Sequence, residues 1–246
     1  MPGRFPGKRP DSIRCVDTFA GGRRIEHRFV LVQGMKSAGL ERAIKRAVLR
    51  SGLIELPAIR RRLNPLGYTF KRMLLRDTAK QFRCKTFVET GTYFGETSRY
   101  MARFVEQVLT CEPDPRLYEY NMRHNRRIRN ISIWNKGSEE CFEEMLRHVT
   151  GRPLFWLDGH CSGEGTACTS GGVPILHEIR LIGKSELNGV VAIDDVRLFE
   201  SSQNKLGGTF ERGYPKLEEV VELLSAMFPK NRMQTIGDCL FSLPAQ

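Results

Sequence analysis

From Lys85 onward, short apolar runs alternate with segments whose apolar residues recur every three or four positions. The short runs have the length of buried strands, and the recurring segments have the period of amphipathic helices. This alternation is typical of an α/β protein whose parallel sheet carries helices on both faces. Seven strands are predicted, at Thr86–Val88, Gln107–Cys111, Ile131–Trp134, Pro153–Leu157, Val190–Ile193, Met233–Ile236 and Cys239–Leu243. Helices are predicted at Pro115–Asn125, Glu139–Val149, Pro174–Gly183 and Pro215–Phe228, with another around Met101, Phe104 and Val105. The last two strands predict an antiparallel C-terminal hairpin.

The chain before Lys85 follows a different pattern. Residues 1–34 are rich in Gly, Pro and Arg without sustained periodicity, which predicts a disordered basic arm, and Met35 resembles a natural start. Residues 35–84 are predicted to form a basic helical extension, with an amphipathic helix at residues 37–50. Such a helix either packs on the core by its apolar stripe or binds a membrane surface or nucleic acid. The regular α/β domain is expected to span residues 85–246.

Charge and cysteine content narrow the function classes. The formal net charge is +11, and residues 1–85 hold 21 of the 39 Lys and Arg but only 6 of the 28 Asp and Glu. The basic character therefore belongs to the N-terminal third. The seven cysteines are scattered without a CxxC pair, and the N-terminus lacks the apolar region of a secretory signal. No apolar run approaches the roughly 18 residues of a membrane span, so we expect a cytoplasmic protein.

The stretch from Lys85 to Ser98 combines a strand, a glycine turn and a helix start. The strand leads to Glu89, and Gly91 and Gly95 shape the turn that follows. A strand, a glycine turn and a helix N-terminus together expose backbone N–H groups, which bind nucleotides or carboxylates. Two glycines four positions apart also occur in turns for steric reasons alone. The stretch predicts a nucleotide-like cofactor site only in combination with the residues downstream.

Acidic residues follow three of the four other predicted parallel strands. They are Glu112, Asp158, and the pair Asp194 and Asp195. Ligands of open parallel sheets bind outside the carboxyl ends of the strands. Each carboxylate alone is explained by a helix cap or a solvated turn, but their joint position at four strand ends favours a functional site.

The spacing of Glu89 and Glu112 favours one cofactor type. Glu112 ends the strand after the glycine turn, where an acidic side chain accepts the two ribose hydroxyls of an adenosine. The dinucleotide fingerprint is absent, because Glu89 precedes the first glycine and Tyr93 stands in the middle of the turn. An acid there suits an ammonium group and repels a pyrophosphate. S-adenosylmethionine carries both an ammonium group and a ribose, so it is favoured over NAD.

The motifs Val88–Thr97, Glu112, Leu157-Asp-Gly159 and Ile193-Asp-Asp195 resemble class I S-adenosylmethionine-dependent methyltransferases. The nearest likeness is to the macrocin-type O-methyltransferases of sugar and antibiotic tailoring, and it covers roughly Lys85 to Leu243. The resemblance implies a Rossmann-like, doubly wound sheet and methylation of a sugar or small-molecule hydroxyl. It places cofactor contacts at Glu89, Gly91, Thr92, Gly95, Thr97, Glu112, Ser138 and Asp158.

The resemblance also implies a metal. In that group Mg²⁺ is held by residues that match Asp158, Asp194 and Asp195, and carboxylates that converge repel one another unless a hard cation is bound. A metal-free site, in which Asp194 or Asp195 caps a helix, is the alternative. The chain departs from the macrocin-type pattern at His160, where those enzymes commonly have another Asp. His160 is therefore a candidate base beside Asp158, or an additional ligand.

Two other functions stay open at this point. The basic extension suits an RNA ribose methyltransferase, although the segment Asp158-Gly-His-Cys161 lacks the proline and aromatic residues that serve adenine methylation. A non-catalytic S-adenosylmethionine-binding protein is the second, with peripheral membrane contact through the basic helix. The residues do not identify the acceptor. The loops Cys161–Gly172 and Phe199–Gly213 are expected to shape its pocket.

Overall fold

One mixed sheet of nine strands dominates the computed structural model, which describes residues 15–20, 23–28, 66–159, 173–200 and 214–245. The strands are β1 (Cys15–Ala20), β2 (Arg23–Arg28), β3 (Thr86–Thr90), β4 (Gln107–Cys111), β5 (Ile131–Trp134), β6 (Pro153–Leu157), β7 (Val190–Ile193), β8 (Arg232–Ile236) and β9 (Cys239–Leu243). Their order is β1-β2-β8-β9-β7-β6-β3-β4-β5. Strands β3 to β7 pair in parallel, and β9 runs antiparallel to β7 and β8. The predicted Rossmann-like, seven-stranded sheet with an antiparallel C-terminal hairpin is confirmed.

Helices cover both faces of this sheet. They are α1 (Leu66–Gln81), α2 (Glu96–Met101), α3 (Pro115–Asn125), α4 (Ser138–Arg147), α5 (Ile175–Lys184), α6 (Arg197–Glu200) and α7 (Leu217–Met227). Successive residues of a strand point to opposite faces, and Phe87 and Val88 accordingly belong to two different buried clusters. Helices α4, α5 and α7 pack on the Val88 side, and α1 and α2 pack on the Phe87 side. The sheet is therefore the shared wall of two apolar cores.

The N-terminal arm is the first difference from the sequence prediction. Where residues 1–34 predict disorder, the structure has β1 and β2, which pair antiparallel from Cys15 opposite Arg28 to Ala20 opposite Arg23. Strand β2 also pairs in parallel with β8. The missed signal is a pair of glycines, residues 21 and 22, between two runs with β-branched residues, which is typical of a hairpin.

The domain boundary is the second difference. The sequence predicts a domain that starts at Lys85, yet Leu75, Ala79 and Phe82 are buried in the same cluster as Phe87. These residues recur at helical spacing on one face of α1 and its end, so the helix lays its apolar side on the sheet. The folded core therefore includes residues 66–84.

Several predicted features lie outside the described residues. These are the basic helix at 37–50, the loop 161–172, His160, and most of the loop 199–213, of which Phe199 and Glu200 belong to α6. Within the described ranges, every helix is either too short or too polar to cross a lipid bilayer.

The packing of α1 predicts a stability difference between two neighbours on that helix. We expect Leu75→Ala to lower the free energy of unfolding by about 2–4 kcal/mol, because it leaves a cavity in the core. Met73 is 44% exposed, so Met73→Ala should change it by less than about 0.5 kcal/mol. Urea unfolding followed by circular dichroism measures both. Equally small losses would show that α1 is not part of the core.

Candidate active site

Four carboxylates meet at one edge of the sheet. The last residues of β3, β4, β6 and β7 lie side by side in the pairing register. Glu112, Asp158 and Asp194 each follow directly after one of these strands, and Glu89 is the penultimate residue of β3. Glu89, Glu112 and Asp194 are at most 5% exposed. Buried carboxylates require compensating hydrogen bonds or cations, so the partners of each define what the site can do.

The glycine turn lies against the end of β6. Gly91 and Gly95 have φ angles of +82° and +64°, and Tyr93 between them has a φ of +51°. A Cβ atom on Gly91 would lie 3.0 Å from both the carbonyl oxygen of Asp158 and the Cα of Gly159. Glycine is required at this position by both the left-handed backbone and the close approach. The turn and the Asp158 segment therefore form one surface.

The turn is clamped from outside by polar residues that the sequence analysis did not single out. Asn121 of α3 donates from Nδ2 to the carbonyl oxygen of Tyr93 at 2.6 Å. Arg99 of α2 donates to Oδ1 of Asn121 and of Asn125, at 3.1 Å each, and also to the carbonyl oxygen of Phe94. The sequence offered one signal for these contacts: the two asparagines are four residues apart and therefore lie on the same face of the predicted helix.

Glu112 is held by the backbone of two loops. Its Oε2 accepts from the N–H of Tyr93 at 2.7 Å, and its Oε1 accepts from the N–H of Asp114 at 3.0 Å. Burial raises the pKa of Glu112 to about 7, against these two hydrogen bonds, which favour the ionised form. Asn135 donates from Nδ2 to the carbonyl oxygen of Glu112 at 2.8 Å. Both carboxylate oxygens are thus fixed in direction and retain lone pairs for further donors.

Glu89 lies beneath the turn. Its Oε2 accepts from the hydroxyl of Ser98, and Thr110 donates to the same atom at 3.4 Å. Burial raises the pKa of Glu89 to about 8 despite these hydrogen bonds. The buried Thr92 hydroxyl lies 2.7 Å from that of Thr110, whereas Thr97 is partly exposed in the first turn of α2. Glu89 therefore joins β3, β4 and α2, and its contact with a cofactor ammonium stays a prediction.

Ser138 is buried at the start of α4, where it meets a carboxyl group that the sequence analysis missed. Hydrogen bonds with Ser138 and Thr90 favour the charged form of Glu178, but burial outweighs them and raises the pKa of Glu178 to about 7. Its Oε1 has no hydrogen-bond partner among the described residues. Glu178 lies between Ile175 and Ile182 on the buried face of α5. The sequence did carry a signal for this buried acid, because Glu178 is the one acidic residue in an otherwise apolar stripe of a predicted helix.

Asp194 and Asp195 meet two cations. The ammonium of Lys71 contacts Asp194 and lies 3.0 Å from Oδ1 of Asp195. The guanidinium of Arg197 lies 2.8 Å from Oδ1 of Asp195 and also contacts Asp238. Burial alone lowers the pKa of Lys71, but Asp194 and Asp195 outweigh it and raise the pKa above its ordinary value, so Lys71 is protonated. Neither Lys71 nor Asp238 was singled out from the sequence.

The predicted metal ligands are only partly brought together. Carboxylate oxygens of Asp194, Asp195 and Asp238 lie within 4.8 Å of one another, and Asp158 is not in that group. Burial and the charges of Asp194 and Asp195 raise the pKa of Asp158 well above its usual range. The oxygen atoms suit Mg²⁺ in kind, but their charges are already paired with two cations, Lys71 and Arg197. This arrangement does not fit a divalent cation.

The glycine turn predicts a graded stability loss. A Cβ on Gly95 would lie 2.1 Å from Oδ1 of the buried Asn121, whereas one on Gly237, with a similar φ of +61°, meets only a Phe70 carbon at 3.6 Å. Both Ala variants carry backbone strain of about 1 kcal/mol. We expect Gly95→Ala to cost about 1–3 kcal/mol more, because the clamp must shift. Thermal unfolding measures the difference, and equal losses would exclude the clash.

Glu178 predicts a pH-dependent stability change. Its pKa of about 7 lies above the ordinary 4.5, so the native state holds the proton more tightly than the unfolded chain. The resulting stability is present below about pH 4.5 and is lost as the pH rises through about 7. Glu178→Gln mimics the protonated acid. Its stability relative to wild type should rise by about 1–3 kcal/mol between about pH 5 and pH 8.

Denaturant unfolding at several pH values tests this expectation. Glu222 is exposed on α7, so Glu222→Gln is the matched control and should show no such change. A stability difference between Glu178→Gln and wild type that is constant with pH would contradict the buried, partly protonated state.

Comparisons with known proteins agree with this geometry at the level of the fold. No protein-family model matches the sequence, and no curated protein matches it at a significant level. Among solved structures, TomG from Streptomyces achromogenes, an O-methyltransferase involved in tomaymycin synthesis, superposes with a TM-score of 0.54 at 15% identity. The match covers 88% of this chain and 93% of TomG.

Two other structures match similarly. The O-methyltransferase from Bacillus cereus has a TM-score of 0.51 at 13% identity, with 87% of this chain and 93% of that chain covered. The Podospora anserina methyltransferase PaMTH1 has a TM-score of 0.51 at 11% identity, with 87% and 100% covered. At such identities the likeness concerns the course of the chain. The chain therefore has the fold of class I S-adenosylmethionine-dependent methyltransferases.

Proposed function

We propose that this protein is an S-adenosylmethionine-dependent methyltransferase that acts on a hydroxyl group of a sugar or another small molecule. The observation that carries the proposal is Glu112, whose two oxygens are each held by a loop N–H at the end of β4. The fold likeness supports it, since TomG was solved with S-adenosylmethionine and the Bacillus cereus enzyme with SAH.

The residues present fit this cofactor. Glu112 offers two adjacent acceptors of fixed direction to the two ribose hydroxyls, and donation from those hydroxyls would stabilise the ionised form that burial disfavours. The backbone of Gly91 lies directly against the Asp158 segment, so the glycine brings the turn after β3 and the end of β6 together into one surface. Asn135 and Ser138, after β5, are the proposed contacts on the adenine side.

Charge supports the same cofactor. Glu112, Asp158, Asp194 and Asp195 gather at one edge of the sheet, where Lys71 and Arg197 pair with Asp194 and Asp195 but not with Glu112. A cationic ligand relieves repulsion among these carboxylates. S-adenosylmethionine carries a sulfonium and an ammonium, whereas the product of methyl transfer has lost the sulfonium charge. The site is therefore expected to bind the methyl donor more tightly than that product.

In the proposed reaction the cofactor supplies a methyl group on a positively charged sulfur, and the acceptor oxygen bonds to that carbon as the carbon–sulfur bond breaks. The chain must orient the hydroxyl and accept its proton. Asp158 is the described candidate, because burial and the neighbouring Asp194 and Asp195 raise its pKa well above the usual range and so increase its basicity. His160 is the other candidate base from the sequence. No step passes through a metal, because Lys71 and Arg197 already balance the carboxylates.

The RNA alternative rests on charge. Among the described residues, exposed arginines Arg123, Arg126 and Arg127 lie together at the C-terminal end of α3. Helix α3 begins at Pro115, close to Glu112, and its 11 residues span about 16 Å. These arginines are thus at the end of the helix farthest from the cofactor residues. The position of these arginines therefore gives the RNA alternative no support, and residues 29–65 of the basic extension on which it rests lie outside the described residues.

Cofactor calorimetry tests the proposal. Wild type should bind S-adenosylmethionine, and Glu112→Gln should weaken binding by about 10- to 100-fold, because the amide cannot accept at both positions. Exposed Glu106, paired with Lys85 at the other end of the strands, gives the control Glu106→Gln, which should bind as wild type does. Absence of binding to folded wild type at millimolar cofactor would refute the methyltransferase proposal.

Transfer of labelled methyl groups then identifies the acceptor class. Candidate sugars, small-molecule alcohols and total RNA are assayed in parallel at low and high salt. Transfer to small molecules that is insensitive to salt supports the proposal, whereas transfer to RNA that falls steeply with salt would support the alternative. Cofactor binding without transfer to any acceptor class would favour the non-catalytic reading.

A further inference from the structure

Lys71 lies where the fold brings two neighbouring carboxylates together. Its ammonium touches both members of the Asp194–Asp195 pair, with a distance of 3.0 Å to Oδ1 of Asp195. Asp194 is almost fully buried, and it also accepts from the N–H of Asp195 at 2.7 Å and from the thiol of Cys239 at 3.6 Å. One Asp194 oxygen, Oδ1, receives all three contacts, so Lys71 is built into a fixed polar cluster.

The position of Lys71 follows from the geometry of α1. Leu75 and Ala79 follow Lys71 at intervals of four residues, so all three lie on the face of α1 that packs on the sheet. Helix α1 leads into β3 and runs back along it, and its first turns therefore reach the edge where the parallel strands end. The apolar residues anchor the helix, and the lysine one turn earlier extends over the carboxylates.

A second cation completes the arrangement. Arg197 donates its backbone N–H to Asp238 at 3.0 Å, and its guanidinium contacts both Asp195 and Asp238. Three carboxylates that share a space within 4.8 Å are thus matched by two side-chain cations from the same chain. A divalent ion entering this cluster would have to displace Lys71, against the repulsion of its charge.

We propose that the ammonium of Lys71 takes the place of a divalent cation at the carboxyl ends of β6 and β7, which makes Lys71 a positioning residue and the site independent of metal. Lys71 holds Asp194 and Asp195 in their orientation and couples α1 to the site. The consequence for methyl transfer rests on the proposed function, whereas the replacement of a metal by Lys71 does not.

The two kinds of cation differ in chemistry. A metal ion binds the acceptor oxygen as a Lewis acid and lowers its pKa, whereas an ammonium donates hydrogen bonds and has no open coordination position. The acceptor hydroxyl would therefore lose its proton to a side-chain base. Chelators should leave cofactor binding and methyl transfer unchanged.

Manganese binding tests the replacement without any assay of activity. The paramagnetic resonance signal of free Mn²⁺ falls on binding, and it is recorded with wild type, Lys71→Met and Lys71→Arg. We expect no detectable Mn²⁺ binding by wild type or Lys71→Arg. Lys71→Met removes the competing charge, so its dissociation constant for Mn²⁺ should be at least about tenfold lower than the highest Mn²⁺ concentration at which wild type shows no binding. Adding Asp194→Asn to Lys71→Met should abolish this binding.

Arg72 provides a matched control on the same helix. Its side chain is 14% exposed, against 16% for Lys71, and it pairs with Glu96 at 3.1 Å. Arg72→Met therefore removes a comparably buried cation that does not touch the cluster, and it should bind no Mn²⁺. Binding by both Met variants would show only a general gain of negative charge and would overturn the proposal.

Two results with wild type and Lys71→Met would each overturn the proposal. Wild type that binds Mn²⁺ as tightly as Lys71→Met would show that Lys71 moves aside, and a folded Lys71→Met that binds none would show that no cation position exists. Should Lys71→Met fail to fold, the melting temperature of wild type with Mg²⁺ and with chelator gives the answer. A rise with Mg²⁺ refutes metal independence, and no change supports it. Calorimetry with S-adenosylmethionine on the same wild-type sample tests the proposed function separately.

Discussion

The compensation of buried negative charge is the constraint on which this site depends. A parallel sheet brings the residues at the ends of its strands to one edge, and in this chain the ends of β3, β4, β6 and β7 carry acids. Three of these acids are balanced by different groups. Backbone N–H groups hold Glu112, hydroxyl groups hold Glu89, and an ammonium holds Asp194. Burial raises the pKa of Glu89 and Glu112, so a positively charged ligand at this edge would stabilise their ionised forms.

The same devices connect the sheet to its helices. The turn after β3 is held by α2 and α3 through Arg99 and Asn121, and the end of β7 is held by α1 through Lys71. Polar contacts of the site are therefore also the contacts that orient three helices on one side of the sheet. On the opposite side, Glu178 and Ser138 make a similar connection between α5 and α4. Folding and preorganisation of the site share these contacts.

Periodicity and strand-end chemistry predicted the sheet, its antiparallel C-terminal hairpin and the acids at the strand ends. Strand length and helical spacing are local properties of the sequence, and they were sufficient for those elements. The residues that contact these acids and the glycine turn lie far from them in the sequence. Lys71 approaches Asp195 from 124 positions earlier in the chain and Asn121 approaches Tyr93 from 28 positions later, and no local pattern pairs them. The hairpin at Cys15–Arg28 carried a local glycine signal, but its position within an arginine-rich segment concealed it.

The pairing of β2 with β8 has a consequence for the order of assembly. These strands meet at His27 and Thr235, so the first and last parts of the sheet are neighbours in space. During synthesis the N-terminal hairpin emerges long before β8, the strand that receives it. Contacts of such long sequence separation form slowly, because a large loop must close first. Strands β3 to β7 are synthesised before β8 and β9. The sheet is therefore completed only after the C-terminal hairpin has been synthesised and has paired with β7 and β2.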